Sequence, residues 1–150
     1  MITLAFYNGE GDWFDKLIHW WTCGAYSHVE LVVGDPETWP GEVIILSSSP
    51  RDGGVREKRL ALDPKHWTLV TVPGDADHAA MFIRGWIGAR YDWLGIVLSQ
   101  VIPIDWHWSN RWFCSEICAA ALGIPEPQRM SPSGLHRYLT KARPESRAFS

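Results

Sequence analysis

The stretch Phe113-Cys-Ser-Glu-Ile-Cys-Ala-Ala-Ala-Leu122 reads as a helix rich in alanine, with a cysteine in its first turn. Gly123 and Pro125 close it, as a C′ glycine followed by a proline does. Ser109 or Asn110 is the expected N-cap upstream. Working outward, the flanking segments are helical too. Asp75 is a good N-cap, and Ala79, Phe82, Ile83, Trp86 and Ile87 recur at helical spacing, with Gly88 as the stop. Asp92 is placed to cap a helix over Trp93 to Val101, ended by Pro103. Ser131-Pro132 starts a fourth helix, with Leu135, Tyr138, Leu139 and Ala142 as its stripe. Residues 143–150 read as a loose tail.

The first half reads differently. Ile2 to Tyr7, His28 to Val33, Glu42 to Ser47, and Trp67 to Val72 are short β-rich runs. A helix from Asp12 or Asp15 to about Thr22 interrupts them, closed by Cys23-Gly24. Pro50-Arg-Asp-Gly-Gly54 is a strong turn signal, so Val55 to Leu60 is expected to return as a hairpin partner. Strands followed by helices, with no linker, predict one α+β domain over 1–150: a small antiparallel sheet with helices packed on it.

Composition narrows the function classes. Hydrophobic residues are 46% and charged residues 21%, which excludes extended disorder. The formal charge is −3, and no basic stripe interleaves with aromatics, so no nucleic-acid partner is expected. No apolar run reaches membrane-spanning length. The N-terminus lacks a basic segment and meets Gly, Asp and Glu too early for a signal peptide, so cytoplasmic residence is expected. Three cysteines argue for a reducing compartment rather than a disulfide scaffold. Ten tryptophans stand out; they serve a large core, an aromatic-walled site or a sticky surface.

Two residues have the chemistry of a site. Cys114, at a helix start, has the macrodipole and free N–H groups that favour a thiolate. The same position suits a core cysteine beside Trp112, Phe113 and Ile117. His28, at the mouth of a strand, is placed to act as a base, and Glu30 at i+2 shares its strand face. Each is equally at home as an ordinary polar residue. Cys118, at mid-helix, reads as core, and Cys23 as packing. The cysteine spacing does not make a zinc knuckle, so no metal is expected. No Gly-rich phosphate loop occurs, and no cofactor is expected. A redox pair of Cys114 and Cys118 would be strained within a helix.

Tyr26-Ser-His-Val-Glu-Leu-Val-Val-Gly34, Gly88-Ala-Arg-Tyr-Asp-Trp93 and Phe113-Cys-Ser-Glu-Ile-Cys-Ala-Ala-Ala-Leu122, taken together, resemble the circularly permuted branch of the NlpC/P60 papain-like superfamily. That branch includes the YiiX-like hydrolases and the lecithin:retinol acyltransferase group. The likeness covers roughly residues 22–122, with histidine preceding cysteine in the permuted order. It implies a permuted papain-like fold and a cysteine hydrolase working by acyl transfer. Cys114 would be the nucleophile, His28 its base, and Tyr91 the tyrosine beside the oxyanion. The stretch from Ser47 to Arg56 is also similar to small phage or prophage proteins of this type, which would allow virion- or lysis-associated delivery.

One position departs from the pattern. The family's third polar residue falls at or near Ser47, a weak orienter. Either Glu30 takes that role, or a hydroxyl does, or the site is degenerate. Tyr91, Ser47 and Trp112 are the expected substrate-side residues, with Trp106 and Trp108 as further candidates for a groove wall or for core. The expected substrates are peptide amides of the peptidoglycan type. Acyl-lipid esters or amides are the enzymatic alternative, and a non-catalytic phage-associated binding protein is the other. Oligomeric state is not written in the sequence.

Overall fold

The computed structural model of the chain describes residues 1–9, 24–34, 41–91 and 111–141. It is α+β. Among the described residues, seven strands form one sheet: β1 (Ile2–Tyr7), β2 (His28–Val33), β3 (Glu42–Ser49), β4 (Gly54–Ala61), β5 (Trp67–Val72), β6 (Arg90–Tyr91) and β7 (Arg111–Trp112). Their spatial order is β5-β1-β2-β3-β4-β6-β7. The first five are antiparallel, and the two-residue strands β6 and β7 pair in parallel at the end. The helices are α1 (Ala76–Arg84), α2 (Cys114–Ala121) and α3 (Pro132–Lys141).

Strand alternation splits the apolar residues between the two faces. Leu4, Phe6, Val29, Leu31, Leu46 and Val55 pack with Ala79, Ile83, Ile117 and Leu135 of the helices. Ala5, Val32, Val43, Ile45 and Leu62 form a smaller cluster. The hairpin between β3 and β4 pairs Ser49 with Gly54, so Ser47 lies opposite Arg56. Strand β3 runs two residues beyond the expected end, because Ser48 and Ser49 still pair with β4.

Each helix is set by its ends. Asp75 caps α1, its Oδ1 accepting from the Asp77 and His78 N–H groups at 3.0 and 3.1 Å. α1 is shorter than the periodicity predicts: it stops at Arg84 with Gly85 as cap. Trp86 and Ile87 continue as turns, and Gly88 at φ 94 sends the chain into β6. Trp86 instead turns its ring onto Trp112, at 5.1 Å between centroids.

The N-cap of α2 is Phe113, not Ser109 or Asn110. Arg111 and Trp112 are taken by β7, which pairs with Arg90 and Tyr91, so the helix cannot begin earlier. At its C-terminus, Gly123 N–H donates to the Ala120 carbonyl and Ile124 N–H to the Ala119 carbonyl, a Schellman closure with Gly123 at φ 68. α3 begins as expected, the Ser131 hydroxyl accepting from the Gly134 N–H at 3.0 Å with Pro132 at its first position.

Gly54 matters because it is where two backbones meet. Its φ is 154, and a Cβ there would collide with the Ala89 carbonyl oxygen. That contact joins the β4 end of the sheet to β6, and through it to β7 and α2. The expected helices over 12–22 and 93–101, Cys23, Trp106, Trp108 and the tail 143–150 lie outside the described residues.

Candidate active site

Cys114 is the first residue of α2, and its place is fixed from both sides. On one side, the Ser48 hydroxyl donates to the Trp112 carbonyl at 2.6 Å, tying the approach to the helix onto β3. On the other, Ser115 donates to the Met130 carbonyl. Glu116 accepts from the Phe113 N–H at 3.3 Å. The helix is buried almost all round and packs on β2, β3, α1 and α3. Cys114 itself is buried and unoxidised, as is Cys118. As the first residue of α2, Cys114 sits at the positive end of the helix dipole.

His28 is the first residue of β2 and lies opposite Tyr7 at the end of the β1–β2 ladder. The residues before it are pinned. Ser27 N–H donates to the Tyr7 carbonyl, and Tyr26 N–H donates to the Ser133 hydroxyl. The Tyr26 ring packs against Phe6 and His136, whose rings also meet each other edge-on. The imidazole keeps 18% of its surface exposed, so it is the solvent-facing member of the pair it forms with Cys114.

Cys114 lies close enough to the imidazole to act on its charge. On its other side, His28 Nε2 meets Glu30 Oε1 at 2.7 Å. Burial alone would lower the imidazole, but Cys114 and Glu30 outweigh it and push it up to about 10. Burial likewise opposes the charge on Glu30, which is 1% exposed; His28 and Arg56 outweigh it and hold the carboxyl below its ordinary value.

Of the alternatives for the third polar residue, the structure puts Glu30 on the imidazole. The Ser47 hydroxyl is buried and faces Cys118, whose sulfur lies 4.0 Å away. Burial pushes the Cys118 thiol well above its usual range, with Cys114 and Glu30 adding to it. Tyr91 pairs by backbone with Trp112, two residues before Cys114.

Trp112 departs from expectation. Its ring is buried and packs edge-on against Trp86 and Phe82. It is part of the core beneath the site rather than a groove wall.

One participant was not foreseen. Arg56 on β4 grips Glu30 with two N–H groups, Nη2 to Oε1 at 2.6 Å and Nη1 to Oε2 at 2.8 Å. The turn signal at residues 50–54 gives half of this, since that hairpin sets Arg56 opposite Ser47; the reach to Glu30 needs the β2–β3 register as well.

Among the described residues, no group of three or more His, Cys, Asp or Glu side chains is arranged to hold a metal. Among them also, no helix is long and apolar enough to cross a membrane. A scan against models of protein families and a search of curated protein sequences return no match to this chain.

Proposed function

We propose that the protein is a cysteine hydrolase on a permuted papain-like shell of the NlpC/P60 kind, working by acyl transfer. The observation that carries this is the line of contacts from a cysteine at a helix N-terminus, through His28, to a buried carboxylate. A solitary core cysteine has no use for such partners.

His28 takes the Cys114 proton, and the thiolate attacks an amide or ester carbonyl. With Nε2 committed to Glu30, Nδ1 is the nitrogen that handles this proton. The Cys114 backbone N–H, at the first position of α2, donates to the oxyanion. Tyr91, in the strand beside β7, is the second candidate for that role. The imidazolium then protonates the leaving group, and water attacks the acyl-thioester with His28 as base. Peptide amides of the peptidoglycan type are the first substrate class, with acyl-lipid esters or amides second.

A non-catalytic binding protein on the same shell is the second reading, favoured by the burial of Cys114. A small activated ester separates the two. After incubation with p-nitrophenyl acetate, mass spectrometry should find one acetyl group on Cys114. Acetylation should slow by about 10²–10⁴ in His28→Ala, the usual worth of a general base. An unmodified Cys114 in the wild-type protein would sink the enzymatic proposal.

A further inference from the structure

The row of residues across β2, β3 and β4 carries more than a hydrogen bond to histidine. Leu31 pairs with Leu46, so one step along the same register Glu30 comes beside Ser47. Ser47 in turn pairs with Arg56. The Arg56 side chain therefore reaches Glu30 by crossing the position of Ser47. On the way, its Nη1 also donates to the Ser47 carbonyl at 3.3 Å.

Beyond Arg56 the row continues. Asp52 in the hairpin turn accepts from Arg56 Nε at 2.7 Å, four residues back along the chain. Charges thus alternate along the line: imidazolium, carboxylate, guanidinium, carboxylate. Arg56 keeps 16% of its side-chain surface exposed and Glu30 only 1%, so the central pair is shielded from water.

We infer that Arg56, held by Asp52, is a positioning residue that keeps Glu30 aimed at His28, and that residue 47 is a serine because the arginine must pass over it. This rests on the Cys114–His28 reading above. It explains how the site dispenses with a polar orienter at position 47. A larger side chain there would occupy the arginine's path. The carboxylate at position 30 supplies the acceptor in its place, and Arg56 fixes it.

A bidentate guanidinium sets both the charge and the rotamer of a carboxylate, which a lysine cannot do. The groups facing Glu30 are His28 on its own strand, Arg56 from β4 and Cys118 from α2. Those facing Arg56 are Glu30 and Asp52, and Lys58 lies 3.6 Å from Asp52. Without Arg56, the buried Glu30 loses one of its two cationic supports and takes up a proton at higher pH. It then no longer accepts from His28 in the acid range.

The test is the acid limb of Cys114 alkylation by iodoacetamide, followed by mass spectrometry, in wild type, Arg56→Met, Arg56→Lys and Asp52→Asn. Arg56→Met should move the limb upward by about one to three pH units, the range for a lost opposite charge. Arg56→Lys should fall between Met and wild type, and Asp52→Asn should shift it least. Asp52→Asn and Arg56→Lys keep the assay informative if Arg56→Met does not fold. A limb that stays in place in every folded variant, whatever their loss of stability, would leave Arg56 merely structural and overturn the inference. If wild-type alkylation is already indifferent to His28, the hydrolase proposal falls first and this inference with it.

Discussion

Glu30→Gln removes one charge from a buried pair while nearly preserving shape. The wild-type carboxylate accepts three hydrogen bonds, one from His28 and two from Arg56. An amide presents one acceptor and one donor, so its NH2 end must face a donor of His28 or Arg56. The guanidinium is left largely buried without a counter-charge. Breaking a buried pair from one side costs about 3–5 kcal/mol, a large part of the ~5–15 kcal/mol of a whole domain. With a denaturant slope of roughly 4 kcal/mol per molar guanidinium chloride, the midpoint should fall by about 1 M.

Arg56→Met should cost a similar amount from the other side. The double variant removes both charges, and Asp52, 30% exposed, is left to water. It should recover at least ~2 kcal/mol of the summed loss, because well-packed neutral replacements of buried pairs are often tolerated. The assay is equilibrium unfolding followed by tryptophan fluorescence. Single variants within about 0.5 kcal/mol of wild type, or a double variant that loses the full sum, would refute the coupling.

Three further outcomes are expected. Gly54→Ala should destabilise the fold and also slow Cys114 alkylation, since the new Cβ pushes β6 away from β4 and disturbs the strand beside α2; unchanged melting and reactivity would contradict this. Ser47→Ala should keep stability and Cys114 reactivity close to wild type, whereas Ser47→Leu should lose both by blocking Arg56, and equal behaviour of the two variants would count against the crossing. His28 is raised from 6.5 to about 10 in the folded protein, so its contribution to stability is complete below pH 6.5 and disappears as pH rises through about 10; unfolding curves should show wild type losing more stability than His28→Ala between those limits, and parallel profiles would refute it.

The parts of the fold that the sequence announces are those with local causes. The Pro50–Gly54 turn fixes a hairpin, Asp75 and Ser131-Pro132 start helices, and Gly123 ends one. Boundaries went astray where a long-range contact overrode a local signal. Ser109 and Asn110 are sound capping residues, yet the start of α2 is set by Arg111–Trp112 joining Arg90–Tyr91 in parallel, a pairing between distant segments that no local pattern reveals. Trp86 fits the helical stripe but leaves it to meet Trp112.

The same distinction holds at the site. His28 and Glu30 are two apart on one strand, so their shared face is legible from spacing alone. That Cys114 comes near His28 depends on how α2 lies against β2 and β3. Arg56 was hidden because its role follows from two registers combined, β2 on β3 and β3 on β4. Taken singly, it is one more charge in the strand Gly54–Ala61.

The most direct measurement is the pH dependence of iodoacetamide alkylation at Cys114, in wild type and His28→Ala. The thiolate–imidazolium pair predicts alkylation at neutral pH far faster than that of a buried core thiol, and a large loss of that rate without His28. Slow alkylation, identical in the two proteins, would contradict it and leave Cys114 as a core cysteine beside a well-satisfied histidine.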